Sequence, residues 1–309
     1  MSTISIQAPS AVVVIRPHCF HPNPETAADN TFQATDRKQN TAALAAAARN
    51  EVSDAAAALE RAGVRTHVFD DHGENQTPDS VFPNNWFSTH AGGHIALYPM
   101  HCANRRRERR TDVVEMLKAQ YRVQDVIDYS GLEYDGVFLE GTGAMVLDHV
   151  ARVAYTGRSR RADPAALERF CTHFNFEPMC FDTADHSGRA VYHTNVMMSI
   201  GTEFALVGLD LITNGARRAE VEQRLHESGR AVIALDHKQI DNFAGNALEL
   251  TGNNGRVLAL SERAAESLTQ QQRTQIERSA RLLPLRVPTI EMAGGSVRCM
   301  LAGIHLARR

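Results

Sequence analysis

The 309-residue chain carries a formal net charge of -3 and is 43% hydrophobic, enough for a large buried core. This slightly acidic balance gives no general attraction to nucleic acid or to anionic membranes. The sequence has no run of eighteen or more apolar residues that would span a membrane, and no charged region of a secretory signal precedes its first apolar stretch. A cytoplasmic location is therefore expected.

Strands and helices are predicted to alternate along the whole chain. The predicted strands are residues 11–16, 64–69, 93–99, 143–148, 150–157, 204–210, 231–236, 256–261 and 283–288. The helical patterns run from about Lys38 to Ala62, onward from Asn104, onward from Asp163-Pro164, from Arg217 to Ser228, and, bent or broken, from Ser261 to Arg281. Helices thus recur roughly every 50 to 60 residues, which indicates one strand-strand-helix-strand unit repeated five times in a single domain, residues 1–309.

Four segments combine apolar strand residues with reactive or hydrogen-bonding side chains beside glycine, proline or asparagine. They are PDSVFPNNWFSTH (78–90), FLEGTGAMVLD (138–148), VYHTNVMMSIG (191–201) and GGSVRCML (294–301). In a ring of five units these segments come from different repeats, so we expect them to meet at its centre.

Cys299, His193 and Glu140 form a candidate set of nucleophile, base and orienting carboxylate. The five cysteines are scattered, odd in number and form no C-x-x-C pair, so free thiols are expected. A free thiol attacks as the thiolate and needs a positive neighbour to form it. Burial as a small core residue is the alternative for Cys299, and a turn or capping role is the alternative for Glu140. Spacing alone leaves these alternatives open.

The four segments resemble the guanidine-modifying, or pentein, superfamily. GGSVRCM is similar to the nucleophile motif of arginine deiminase, and FLEGTG is similar to the Glu-Gly-Gly stretch of the superfamily. YHTNVMMSIG resembles its catalytic histidine strand, and PDSVFPNNW resembles the substrate segment of dimethylarginine dimethylaminohydrolase. The order along the chain is also that of the family, and the nearest branch is the arginine-deiminase-related or citrulline-utilisation hydrolases. The resemblance implies an α/β fold, a five-bladed ββαβ propeller with pseudo-fivefold symmetry.

The resemblance also implies catalytic roles. Cys299 would attack the central carbon of a guanidino or ureido group and form a covalent intermediate. His193 would protonate the leaving amine and then deprotonate the water that releases the enzyme. Glu140 would hydrogen-bond the histidine or a substrate nitrogen.

Five residues are candidates for substrate binding. Asp79 matches a substrate-contact aspartate of the family, Arg161 matches an arginine that holds the substrate carboxylate, and Arg298 adjoins the nucleophile. Where the dimethylarginine enzymes have acidic residues, this chain has Asn84 and Asn85, which offer donors and an acceptor without charge. The neutral ureido group of citrulline has a complementary carbonyl and NH2, so citrulline is favoured, with arginine and methylarginine still open.

The sequence thus predicts a metal-free and cofactor-free hydrolase of a C–N bond in a small amino acid. Amidino transfer and a non-enzymatic pentein binding module are the alternatives. A metal-dependent ureohydrolase is disfavoured because the segments HCFH (18–21), DDH (70–72) and DTADH (182–186) lack metal-ligand spacing. The basic run NRRRERR (104–110) lacks interleaved aromatic residues, which favours a solvated helix face or an intersubunit patch over nucleic-acid contact. A homodimer remains open.

Overall fold

The computed structural model describes residues 5–34 and 40–309. In these ranges the strands form five three-stranded sheets, and each sheet is one blade of a five-bladed α/β-propeller. In every blade an inner strand pairs antiparallel with a middle strand, which pairs parallel with an outer strand. A helix lies in each connection between the two parallel strands, because parallel neighbours need a crossover. The predicted ββαβ propeller is confirmed.

The strands of the described residues make up the blades β15–β1–β2, β3–β4–β5, β6–β7–β8, β9–β10–β11 and β12–β13–β14. Their bounds are β1 (Ala11–Arg16), β2 (Arg65–Asp70), β3 (Phe87–His90), β4 (His94–Leu97), β5 (Asp125–Asp128), β6 (Met145–Asp148), β7 (Val153–Gly157), β8 (Glu177–Phe181), β9 (Met198–Ile200), β10 (Phe204–Val207), β11 (Ala231–Ala234), β12 (Leu248–Gly252), β13 (Gly255–Ser261), β14 (Ala280–Leu285) and β15 (Ala302–Gly303). Val12 of β1 lies opposite Gly303 of β15, so segments from far apart in the sequence complete the first blade.

The α-helices are α1 (Thr41–Arg61), α2 (Thr111–Gln120), α3 (Gly141–Ala144), α4 (Pro164–Phe174), α5 (Gly215–Glu227), α6 (His237–Asp241), α7 (Glu262–Ser267), α8 (Gln270–Glu277), α9 (Pro288–Glu291) and α10 (Val297–Met300). Short 3-10 helices occur at Pro83–Asn85, Ala103–Glu108, Ser130–Asp135, Thr194–Val196 and Leu209–Leu211. None of the helices in the described ranges is long and apolar enough to cross a membrane.

Local sequence sets the ends of the longer helices. The side chain of Asn40 accepts hydrogen bonds from two backbone N–H groups of α1, and Gly63, at φ +87°, follows its end. Asp163 caps α4 in the same way, with Pro164 at the first helical position. The predicted start of the first helix at Lys38 lies outside the described residues.

Several predicted boundaries are wrong. The last helical pattern does not reach Arg281, because α8 ends at Glu277 and β14 begins at Ala280, where it pairs in parallel with β13. The strand predicted at 283–288 is β14, which begins at Ala280 and ends at Leu285, the range over which it pairs with β13. Pro288 begins α9. The strand predicted from residue 143 begins two residues later because α3 occupies the preceding turn. The helix predicted from Asn104 is a 3-10 helix at first, and α2 follows it.

The core lies on both faces of each sheet. In β1, Val12 and Val14 pack against α1 in one apolar cluster, while Val13 and Ile15 pack with Trp86 in another. This alternation is the two-residue period of a strand buried on both sides. Each such side chain contributes roughly 1.5–3 kcal/mol when fully buried. The inner strands of all five blades line a central cavity, described below.

Candidate active site

A pocket brings together side chains that are far apart in the sequence. Its empty volume is about 250 Å³, counting the part that opens to solvent. Among the side chains that line it are Asp79, Asn85, Arg105, Arg161, His193 and Cys299. Each of these six residues is at most 3% exposed, so a molecule in the pocket would be almost enclosed. Four of them lie on connections between blades, whereas Arg105 and Arg161 lie on connections between the two parallel strands of one blade.

Cys299 lies in α10, a single helical turn, and lines this pocket. All five cysteines are free, as expected. Two side-chain amides donate to Cys299 Sγ, from Asn195 Nδ2 and Asn246 Nδ2, at 3.3 Å each. The sulfur of Cys299 therefore has polar partners in the pocket, although the residue also belongs to an apolar cluster.

Asn246 fixes the backbone turn that carries the thiol. Its Oδ1 accepts hydrogen bonds from Ser296 N at 3.2 Å and Arg298 N at 3.0 Å, on either side of α10's first residue. Its Nδ2 also donates to Asn195 O at 2.9 Å. One fully buried amide therefore ties the thiol-bearing turn to the histidine segment. Sequence reasoning missed Asn246, since nothing in its local sequence sets it apart.

Glu140 and His193 form a direct pair. The distance from Glu140 Oε2 to His193 Nε2 is 2.8 Å. Burial raises the pKa of Glu140, but Arg161 and the hydrogen bond from His193 outweigh it, and the pKa is held well below its usual value. Burial lowers the pKa of His193 despite the opposing effect of Glu140. At neutral pH the pair is thus a carboxylate beside a neutral imidazole, which is ready to accept a proton.

Arg105 is a pocket residue that sequence reasoning missed. Its Nε and Nη2 donate to the two carboxylate oxygens of Glu108 at 2.9 Å each, and Nη2 also donates to Asn85 Oδ1 at 3.0 Å. Its Nη1 lies 3.5 Å from Glu140 Oε2. The prediction that the basic run forms a solvated helix face is therefore wrong for Arg105, which is 2% exposed. The sequence did contain one indication of this burial, because Glu108 is an acidic residue within the basic run and can form an ion pair with one of its arginines.

Arg161 is held by a second acid. Its guanidinium makes a two-pronged ion pair with Asp29, in which Nε donates to Oδ2 at 2.9 Å and Nη2 donates to Oδ1. Its Nη1 is 3.6 Å from Glu140 Oε2. Burial opposes the charge of Arg161, but Glu140 and Asp29 keep its pKa above the usual range. The guanidinium is therefore charged, and Asp29 occupies its Nε and Nη2 donors.

The pocket wall contains two unpaired polar atoms. Asp79 Oδ1 and Asn85 Nδ2 have no hydrogen-bond partner within residues 5–34 and 40–309. The other carboxylate oxygen of Asp79 accepts from Asn23 Nδ2 at 2.8 Å. Arg105 can only donate, so it fixes the amide of Asn85 with Oδ1 toward the guanidinium and leaves Nδ2 free. The pocket thus offers one free acceptor and one free donor.

Two of the predicted substrate-binding residues do not line this pocket. Asn84 is fully buried in the 3-10 helix beside it. Arg298 lines the separate central cavity, because successive residues of a helical turn point in different directions. The geometry therefore gives neither side chain a contact with a molecule bound at Cys299.

Glycines let the four segments approach one another. A Cβ atom at Gly143 would lie 2.2 Å from Asn85 Nδ2 and 2.8 Å from His193 Nδ1. Gly294 has φ +81°, and a Cβ there would lie 2.4 Å from Asn30 Oδ1. Any larger residue at either position would displace a pocket group or strain the backbone.

The described residues contain no group of three or more His, Cys, Asp or Glu side chains that could hold a metal ion. The two arginines of the pocket are instead paired with the acids Glu108 and Asp29, and the neutral His193 hydrogen-bonds Glu140. Chemically, the arrangement supplies a thiol with two donors, a neutral imidazole held by a carboxylate, and a wall with one free donor and one free acceptor.

Comparison with known proteins agrees with this geometry. Residues 16–306 match the model of a protein family described as "N,N dimethylarginine dimethylhydrolase, eukaryotic". No curated protein sequence matches the chain. The match includes every residue of the pocket and confirms the resemblance to the guanidine-modifying superfamily.

Solved structures show the same fold. The N-terminal domain of ArgZ, an arginine dihydrolase from the ornithine-ammonia cycle in cyanobacteria, superposes in its substrate-bound form with a TM-score of 0.72 at 14% identity, covering 96% of this chain and 98% of that one. AgrE with ornithine and NAD+ gives 0.72 at 15% identity, covering 97% and 40%. DDAH from Pseudomonas aeruginosa with citrulline gives 0.64 at 11% identity, covering 98% and 100%. The chain spans 40% of the longer ArgZ chain.

Proposed function

Because the chain belongs to the family described as eukaryotic N,N dimethylarginine dimethylhydrolase, we propose that it is a cysteine hydrolase that cleaves a C–N bond in the ureido group of citrulline. The family supports the hydrolase class. The unpaired atoms of Asp79 and Asn85 are the single observation that carries the choice of substrate.

A ureido group matches both unpaired atoms. Its carbonyl oxygen accepts from Asn85 Nδ2, and its NH2 group donates to Asp79 Oδ1. A guanidinium has donors only, so it would satisfy Asp79 but leave Asn85 Nδ2 facing another donor. A buried polar group left unpaired costs about 1–3 kcal/mol, which is enough to set the preference.

The amino-acid end of the substrate matches the pair of Arg161 and Asp29. The α-carboxylate would take the place of Asp29 on the guanidinium of Arg161, and Asp29 would then accept from the α-ammonium group. The exchange keeps each charge paired, as a buried site requires. Free amino acids recur among the structural neighbours, since AgrE binds L-arginine or ornithine and DDAH binds citrulline.

The first chemical step forms a covalent intermediate. The proton of Cys299 passes to His193, and the thiolate attacks the ureido carbon. Asn85 Nδ2 donates to the oxygen as it becomes negative, which is how an oxyanion is stabilised. The C–N bond to the terminal NH2 then breaks, His193 returns the proton to the leaving nitrogen, and ammonia departs from a thiocarbamate on Cys299.

The second step releases the enzyme. His193, neutral again, takes a proton from a water molecule, which attacks the thiocarbamate carbon. The C–S bond breaks, the thiol is restored, and the carbamate of ornithine leaves and loses carbon dioxide. Glu140 stabilises the imidazolium in both steps, because it stays ionised 2.8 Å from the ring.

The alternatives differ in what the pocket must contain. Amidino transfer needs an amidine carbon and a second amine in place of water, and it leaves the free donor of Asn85 unexplained. A binding module does not require a thiol, an imidazole and an ionised carboxylate around one pocket. Both alternatives remain distinguishable in a single assay.

The test is the rate of ammonia or amine release by the purified protein from citrulline, arginine and dimethylarginine, with and without added glycine as an amine acceptor. We expect the highest kcat/KM for citrulline and no effect of glycine. A higher kcat/KM for arginine or dimethylarginine would reject the ureido preference. Consumption of arginine only with glycine would identify amidino transfer, and no turnover of any compound would support a binding module.

A further inference from the structure

The central cavity is a second polar chamber, separate from the pocket at Cys299. Its empty volume is about 580 Å³, including the part that opens to solvent. The inner strands of all five blades line it, and Ser88, Thr89 and Ser199 are among the lining residues. Their hydroxyl groups are hydrogen-bonded within the protein, so a ligand in the chamber would depend on other side chains of the wall.

Arg298 is the one arginine or lysine that lines the chamber among the described residues, and no Asp or Glu there lines it. Arg298 Nη1 donates a hydrogen bond to Leu301 O at 3.0 Å. No carboxylate of the described chain forms an ion pair with Arg298. By contrast, the buried Arg105, Arg161 and Arg230 are each paired with an acid. Arg298 is half-buried at the cavity wall, and its charge lacks the counter-charge that each of the other three has.

Two imidazoles lie against the same chamber. The rings of His149 and His305 stack with a centroid distance of 3.8 Å and an interplanar angle of 21°. Burial and then Arg298 lower the pKa of His305 to about 4, so at neutral pH this ring adds no second charge. Gln7 also lines the chamber, but its Nε2 donates to Leu147 O at 3.0 Å and to Ile200 O at 3.1 Å, so its amide nitrogen has no N–H group left for a ligand.

We propose that the central cavity binds a small inorganic anion at the guanidinium of Arg298. The anion supplies the counter-charge that the described chain omits, and it accepts from N–H groups of Arg298 that no described residue uses. Halide and bicarbonate ions share this chemistry. The site lies in a different cavity from Cys299, although the two residues are adjacent in sequence.

Crystals soaked in sodium bromide test the site directly. We expect an anomalous peak in the cavity within hydrogen-bond distance of the Arg298 guanidinium. In solution, sodium bromide should raise the Tm by several degrees relative to sodium gluconate at the same ionic strength, because bromide is a small inorganic anion and gluconate is not.

Three variants make the solution test specific. Arg298→Met should lose the difference between bromide and gluconate, Arg298→Lys should keep part of it, and Arg281→Met, an exposed site, should behave as the wild type. An equal bromide effect in Arg298→Met and in wild type would overturn the proposal. Absence of an anomalous peak in the cavity would do so even if Arg298→Met did not fold.

Discussion

Asn85 and Arg105 come from different segments, and their contact sets the polarity of the pocket wall. Arg105 takes the oxygen of the Asn85 amide at 3.0 Å, so the nitrogen is what a substrate meets. An asparagine without this neighbour could turn either face to the substrate. The preference of Asn85 for a hydrogen-bond acceptor is therefore set by Asn85 and Arg105 together, not by Asn85 alone.

Replacing Asn85 with aspartate should move the preference toward cationic substrates. The Asn85→Asp variant keeps an oxygen for Arg105 but turns the free donor into an acceptor that suits a guanidinium. We expect the ratio of kcat/KM for arginine to that for citrulline to rise roughly 10- to 100-fold, from the cost of a mismatched buried hydrogen bond. Asn253→Asp, at an exposed position, is the matched control. An unchanged ratio in Asn85→Asp would remove the basis for the ureido preference.

The candidate catalytic residues could be predicted from the sequence, but the residues that contact and position them could not. Cys299 and His193 lie within segments that resemble a known family, and both line the observed pocket. Arg105, Asn195 and Asn246 act through partners that are close only after folding, for example the 3.3 Å contacts to Cys299 Sγ. Residue type and spacing along the chain carry no trace of the two amide contacts to Cys299 Sγ, and for Arg105 they offer only the nearby acid Glu108.

Residues 17–34, which follow β1, contact the pocket from several sides. Asn23 donates to Asp79, Asp29 pairs with Arg161, and Asn30 Nδ2 donates to Ala293 O at 3.0 Å. These contacts tie one loop to three other parts of the pocket. Because the pocket residues are almost fully buried, we expect this loop to move when substrate enters.

Asp29 is the residue of this loop whose role is easiest to isolate. Asp29→Asn weakens the ion pair with Arg161 and removes the proposed partner of the substrate's α-ammonium group. We expect KM for citrulline to rise roughly tenfold with little change in kcat, because a contact outside the reacting group is lost. Asp54→Asn, on the exposed face of α1, serves as control. If KM stayed the same while kcat fell, Asp29 would act in the chemistry instead.

The predictions at the level of elements failed where strands are short or polar. β3, with the sequence FSTH, and β15, with two residues, give no clear alternation, yet both complete blades. Their place is set by neighbours, since β3 pairs with β4 and β15 pairs with β1. Long amphipathic helices such as α1 and α4 were predicted well because their caps are encoded locally.

At the scale of the whole molecule, the ring places buried histidines around its centre, and this should make stability depend on pH. Burial and then Arg298 lower the pKa of His305 to about 4. An unfolded histidine takes up its proton near pH 6.5. Between these values the unfolded state binds more protons, so the free energy of unfolding falls as the pH falls.

Urea unfolding of the wild type and of His305→Gln at pH 7 and pH 4.5 measures this effect. Glutamine does not titrate, so the variant should lose less stability between the two values, by roughly 1–3 kcal/mol. His226→Gln, at an exposed position, should show the same pH dependence as the wild type. An equal loss in His305→Gln and in wild type would mean that the pKa of His305 is the same in the folded and the unfolded protein.

The repeat of the whole molecule was readable because its helices recur at a regular interval, and the five blades follow that interval. The two cavities could not be predicted from the sequence. They arise where blades meet, so residues adjacent in sequence, such as Arg298 and Cys299, line different chambers. Only the handedness and length of the α10 turn decide which side chain faces which chamber.

The most direct test of Cys299 as the nucleophile is mass spectrometry of the protein quenched in acid during turnover of citrulline. We predict an adduct on the peptide that contains Cys299, with the mass of citrulline less ammonia, and no adduct in Cys299→Ser. Ammonia release from citrulline without an adduct at Cys299, or with undiminished rate in Cys299→Ser, would contradict the proposed chemistry.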